Sequence, residues 1–224
     1  MQPTRTFAIV LATFAVPALA ADVSGTAALT TDYVWRGTTQ TQGEPAAQAG
    51  IKWAAKSGAY ASLWASNVDF GPGSDATSEW DLAVGWNATL PVKQLALDAY
   101  VLHYRYPSIA AALDWTELNG TLTVAQRYWV SVGYSPEALG SDNDGVYAQL
   151  GARFPVHERL RFEAAFARYF LDASYSHGQL SAVWTFKVPF EVRLSAHATD
   201  RQAKTLFGAA NAGTRFEAAL QTSF

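Results

Sequence analysis

The chain has 224 residues, with 16 Lys and Arg against 19 Asp and Glu and a formal net charge of −3. That balance carries no footprint for nucleic acid. Having no cysteine, it can form no disulfide, thiolate metal site or cysteine nucleophile, while eight Trp and ten Tyr are a heavy aromatic load for a chain of moderate hydropathy.

Residues 1–20 read as a secretory signal peptide: Arg5 supplies the positive start, residues 7–16 the apolar core, and Ala18, Leu19 and Ala20 a small-x-small cleavage site. The apolar run is too short, and Pro17 too disruptive, for a spanning helix. Cleavage after Ala20 leaves residues 21–224 and, with Arg5 gone, a net charge of about −4. No later apolar run reaches the ~18 residues that a transmembrane helix needs. A membrane could be crossed only by strands.

From Val23 onward apolar residues recur with period two, not 3.6. The first expected strand puts Leu29, Tyr33 and Trp35 on one face and Thr30, Asp32 and Arg36 on the other, ahead of a polar tip at residues 37–43. The second sets Ala49, Ile51 and Trp53 against Gln48 and Lys52; a turn at Lys56, Ser57 and Gly58 leads to a third with Leu63 against Tyr60 and Trp64. Past Gly71, Pro72 and Gly73, Trp80, Leu82, Val84 and Trp86 oppose Asp81, then Leu95, Leu97 and Val101 oppose Asp98 and Tyr100. Leu118, Leu122 and Val124 oppose Glu117 and Asn119; Tyr128, Val130, Val132 and Tyr134 form the next outward face. Leu150 and Phe154 oppose Tyr147 and Arg153, and a turn is expected at residues 155–158. Phe162 and Phe166 then oppose Arg161 and Glu163. A loop is expected at residues 172–177, after which Leu180, Trp184 and Phe186 oppose Lys187. Val192 and Leu194 oppose Glu191 and Arg193, and a loop at residues 200–212 leads to the final strand. There Phe216, Leu220 and Phe224 oppose Arg215 and Glu217.

This predicts an all-β chain: a transmembrane antiparallel up-and-down β-barrel of about twelve strands, one domain over residues 21–224. Tight connections alternate with longer ones, as expected of a barrel with short periplasmic turns and long outer loops, which puts both termini on the periplasmic side. Alternation alone would also fit a sandwich with its apolar faces buried between sheets. The apolar faces with almost no charge through their middle, the Trp and Tyr at strand ends and the bulky aromatics among the polar faces favour a barrel with lipid outside and a confined lumen inside. The last strand, ending on Phe224, resembles the C-terminal strand of bacterial outer-membrane barrels. That resemblance implies recognition by the barrel-assembly machinery.

A more specific likeness lies between residues 32 and 69. Asp32, Tyr33, Arg36, Gly37, Thr39 and Gln40, then Pro45, Ala46, Gln48 and Gly50, then Ser57, Gly58 and Tyr60, then Trp64, Ser66, Asn67 and Val68 together resemble the opening of the TorF-family porins. These ordered blocks cover about a sixth of the chain. The resemblance implies an outer-membrane barrel assigned as a porin; it does not carry a substrate with it.

The expected function is passive diffusion of small hydrophilic solutes or ions through the lumen, the protein residing in the bacterial outer membrane among its lipids. Arg36, Lys52, Asp81, Asp98, Arg153, Arg161, Glu163, Lys187, Glu191, Arg193, Arg215 and Glu217 are the expected pore-lining residues. Six of them, Arg153, Arg161, Glu163, Lys187, Glu191 and Arg193, fall near the short-turn ends of neighbouring strands. They form either a belt that sets ion preference or a network that neutralises itself across strands. Asp32 and Gln48 are expected in or near the lumen with Arg36 and Lys52, lining it or bracing its wall. The alternative to a pore is a closed barrel that acts as a structural or surface-binding module through its loops. A lipid-modifying enzyme needs a Ser–His pair, and Ser176 and His177 are neighbours in sequence only, so no catalytic residues are assigned. Asp142, Asn143, Asp144 and Gly145 lack the closing Glu of a calcium loop. No cofactor or metal is expected.

Overall fold

A computed structural model of the chain describes residues 21–92, 94–109 and 112–224; the signal peptide expected at residues 1–20 lies outside them. The strands are β1 (Ala21–Thr30), β2 (Val34–Trp35), β3 (Thr38–Thr39), β4 (Ala46–Ala55), β5 (Ala59–Asn67), β6 (Ser78–Thr89) and β7 (Leu95–Arg105). The rest are β8 (Trp115–Val124), β9 (Tyr128–Ser135), β10 (Gly145–His157), β11 (Leu160–Phe170), β12 (Tyr175–Lys187), β13 (Phe190–Thr199) and β14 (Arg215–Ser223). All but β2 and β3 form one closed antiparallel barrel, each strand beside its neighbour in sequence.

Closure falls to β1 and β14, paired from Thr26 opposite Ser223 to Thr30 opposite Ala219. One more exchange seals the end: Phe224 donates its N–H to the Gly25 carbonyl at 3.0 Å, and Gly25 donates back at 2.6 Å. The Phe224 ring lies so close over Gly25 that a Cβ there would meet it at 2.6 Å. With the ring shut, no strand edge remains to be satisfied in a medium that offers no hydrogen bonds.

Alternation then sorts the side chains. Leu82, Val84, Val130, Leu180, Phe216 and Leu220 are exposed on the outer surface, and Trp53, Trp86, Tyr128 and Trp184 mark its short-turn end, Trp80 and Tyr134 the other. Only lipid can cover such a band without large cost, and its aromatic rims match the two interfaces. Val84, 68% exposed near the middle of β6, makes a direct test. Val84→Arg should destabilise the folded barrel by about 2–4 kcal/mol in vesicles, measured by urea titration, whereas Val84→Leu should change little.

Four expectations are corrected. Tyr33 and Trp35 are not on the outer face of the first strand, because β1 stops at Thr30, whose hydroxyl donates to the Asp32 carbonyl at 2.8 Å and starts the chain inward. The turn expected at residues 155–158 is tighter, since β10 runs through Pro155 to His157 with a register shift there. The loop expected at residues 172–177 is shorter, and His177 belongs to β12. The segment 200–212 contains a helix, α1 (Arg201–Phe207), whose first turn is capped by the Asp200 carboxylate accepting from the Ala203 N–H at 3.1 Å. Seven residues are too few to show a helical period against a background of alternation.

Candidate functional site: the barrel lumen

The lumen has two halves. At the long-loop end the segment 31–45 leaves β1, folds back into the barrel as the β2–β3 hairpin, and rejoins the wall at β4. At its tip Arg36 and Gly37 both have positive φ, 46° and 85°. A Cβ on Gly37 would meet Thr199 at 2.7 Å and His177 at 2.8 Å, so only glycine lets the tip press against β12 and β13.

Arg36 then reaches across to β8, where its Nη2 donates to both oxygens of Glu117 at 2.9 and 2.7 Å. Its guanidinium carbon lies 3.9 Å from the centre of the Tyr147 ring, 4.4 Å from Trp35 and 4.7 Å from Tyr169. Both partners are buried, 8% and 1% exposed at the side chain. A charge pair inside a shell of aromatic rings is strong because water is excluded, and costly to break for the same reason. Trp35 is packed edge-on against Tyr104, Trp115 and Tyr169.

The base of the hairpin is tied separately. Asp32 accepts from the Thr39 hydroxyl, from Thr41 at 3.2 Å and from Arg215 at 3.0 Å. Thr39 donates its N–H to the Asn211 carbonyl at 3.0 Å, and Gln40 accepts from the Asp69 N–H at 2.8 Å. Beside it, on β14, Glu217 accepts from the Thr30 hydroxyl at 2.9 Å and contacts His197 at 3.1 Å. The expected lumen residues Asp32, Arg36, Arg215 and Glu217 thus all hold the plug or its seat.

Asp81 is different. It lies on β6 two residues from Glu79, which is buried beside the hydroxyls of Tyr33 and Tyr106, and neither carboxyl group has an ion-pair partner among the described residues. Burial, and next the Glu79 carboxylate, pushes the phenols of Tyr33 and Tyr106 well above their ordinary range, so both rings stay neutral.

At the short-turn end, five of the six belt residues form one network. Glu163 on β11 meets Arg153 at 3.0 Å, Arg161 at 2.9 Å and Arg193 at 2.9 Å. Arg161 meets Glu191 at 2.5 Å, and Glu191 also accepts from Thr185 and Gln221. Three guanidinium groups thus face two carboxylates, and the network keeps a positive excess. Lys187 is exposed at the end of β12 and makes no ion pair among the described residues. Across the lumen, Lys52 lies 3.6 Å from the centre of the Tyr60 ring, whose hydroxyl donates to Asp98 at 2.9 Å. Gln48, Trp64, Glu191 and Gln221 line a cavity of about 200 Å³ on the β1 side of this half.

The sequence reading did not assign Glu117 or Glu79 a role, although alternation places both on inward faces. Nor did it see His177 as lumenal: the ring stacks on Tyr147 and its Nε2 lies 2.9 Å from that hydroxyl. Ser176, next in sequence, points to the opposite face of β12, so these two residues form no nucleophile–base pair.

A closed twelve-strand antiparallel barrel, apolar outside and charged inside, is the architecture of outer-membrane channels. The chain belongs to the Gcw_chp family, described as bacterial protein of unknown function, which matches residues 15–215. No curated protein is significantly similar in sequence. Among solved structures the chain is similar to the KdgM porin, with TM-score 0.58 and 9% identity over 90% of this chain and 99% of that one. A structure of the KdgM porin in complex with disordered oligogalacturonate gives TM-score 0.59 and 7% identity over 90% and 98%. The NanC porin gives TM-score 0.58 and 9% identity over 91% and 99%. The COG4313 outer membrane channel from Pseudomonas putida F1 gives 0.51 and 9% over 91% and 94%. At these identities the likeness is one of fold.

Proposed function

We propose that this protein is an outer-membrane porin through which small hydrophilic solutes or ions diffuse passively, in a lumen narrowed by the β2–β3 hairpin. The observation that carries the reading is a closed barrel with an apolar exterior and a wall of ionised side chains inside, a combination suited to the passage of hydrophilic solutes. The porin-like architecture supports it, as does the resemblance of the segment 32–69 to the TorF-family porins. Residues 1–20 direct export, the β14 strand ending on Phe224 engages the assembly machinery, and no catalytic step is assigned.

A second reading has its own support. With Arg36 and Glu117 locked across the lumen at 2.7 Å, the barrel would serve as a closed module that works through its loops. Planar-bilayer recording separates the two. Steady unitary currents support the pore, and their absence from correctly folded, heat-modifiable protein supports the closed module.

Ion preference in the pore comes from the Arg153, Arg161, Glu163, Glu191 and Arg193 network, whose positive excess favours anions. Arg161→Glu together with Arg193→Glu reverses the sign of that belt. The reversal potential in a salt gradient is expected to move toward cation selectivity. If it stays put, these residues only brace the wall.

A further inference from the structure

The outer mouth holds a second cavity, of about 300 Å³, formed by the back of the hairpin and the long loops. Its walls carry Trp35, Phe70, Tyr106, Trp115 and Phe207. The polar groups among them have spent nearly all their donors inside the protein. Gln40 donates its amide to Thr38, Asn211 donates its amide to the Phe207 carbonyl at 3.0 Å, and Thr38 donates to the Trp35 carbonyl at 3.0 Å. Thr39 donates to Asp32. Acceptors remain: the amide oxygens of Gln40 and Asn211, and the Asp69 carboxylate, of which Oδ1 takes the Gly71 N–H at 2.8 Å. Apart from the two indole N–H groups, one Asn211 amide N–H and the Tyr106 hydroxyl, which is turned to Glu79, the side chains of the lining offer aromatic faces and oxygens.

Its charge is one-sided. No Lys, Arg or His lines the cavity among the described residues. Arg36, next to Trp35, is paired with Glu117; Arg215, which donates to the Asn211 carbonyl, with Asp32; and Arg105, next to Tyr106, with Asp114. α1 carries Arg201 and Lys204, both exposed. An aromatic box with the Asp69 carboxylate at its edge and few free donors favours a cation that brings its own N–H groups and an apolar body, and it disfavours an anion.

We propose that this outer cavity is a binding site for small organic cations, an ammonium or guanidinium head on an apolar body, with Asp69 taking the head and the aromatic walls taking the body. The site needs no open lumen, so it stands or falls apart from the pore reading.

The test uses the full chain refolded in detergent, checked by heat-modifiable gel mobility, and three probes that share one ring: benzylammonium, benzyl alcohol and benzoate. Isothermal titration is expected to give saturable binding of benzylammonium, at least about tenfold weaker binding of benzyl alcohol, and none of benzoate. Asp69→Asn, in an exposed loop, should weaken benzylammonium several-fold and leave benzyl alcohol unchanged. Equal binding of the alcohol, preference for benzoate, absence of saturable binding, or an Asp69→Asn variant that binds benzylammonium like the parent each overturns the proposal.

Discussion

Excising the hairpin is expected to raise single-channel conductance several-fold while leaving the barrel folded. Thr30 and Ala46 are already paired across β1 and β4, so their Cα atoms stand about 5 Å apart and a turn of about four residues can replace the segment 31–45. The barrel ladder loses only its last β1–β14 bond, from the Thr31 N–H to the Ala218 carbonyl at 2.9 Å, because β2 and β3 pair only with each other. What it loses is the bulk of Tyr33, Trp35 and Arg36 from the lumen. Arg215 gives up Asp32, but at the widened mouth it is free to hydrate. Heat-modifiable mobility should persist, and recordings in planar bilayers should show larger unitary steps with weaker dependence on solute size. Conductance equal to that of the parent would mean that the hairpin does not set the narrowest point.

The second large effect is expected at Glu117. Glu117→Ala leaves a buried guanidinium with no counter-charge, and breaking such a pair from one side costs about 3–5 kcal/mol. The Nη1 of Arg36 already lacks an acceptor, and the rings that remain around it recover only about 2 kcal/mol of a desolvated cation's interaction. The cheapest relief is for the hairpin to leave the lumen, since the strands are held by ladders that do not involve it. Trypsin is therefore expected to cut after Arg36 in Glu117→Ala and not in the parent, and open events should become more frequent. In Arg36→Ala with Glu117→Ala no charge is stranded, so the double variant should be destabilised by less than the sum of the two singles. Strict additivity would mean that the two groups do not act as a pair.

The belt and the plug differ in how far they could be read in advance, and the difference is physical. Arg153 lies opposite Glu163 in the β10–β11 register, and Thr185 opposite Glu191 in β12–β13. Hairpin neighbours meet whenever the turn is placed within a residue or two, so grouping these charges needed only local pattern. Arg36 and Glu117 are 81 positions apart, and nothing in either neighbourhood names the other. Tyr33 and Trp35 were misplaced because an alternating segment with aromatics fits an outer strand and an inward hairpin equally well. What decides between them is the turn that Thr30 begins and the ring of Tyr104, Trp115, Tyr147 and Tyr169 waiting inside. Those side chains come from four separate strands.

The amino-acid sequence alone pointed to the cylinder: the period of two, outer faces with almost no charge through their middle, aromatics at strand ends and the alternation of short and long connections favour it over a sandwich. Each is a property of adjacent residues. Whether the cylinder is hollow was decided only in three dimensions, since filling a lumen depends on which side chains from distant strands converge on one axis. The segment of fifteen residues from 31 to 45 could equally have lain outside, as a strand end and its loop. Its course was set by the guanidinium it carries, which found a buried carboxylate and a shell of aromatic rings on the far wall.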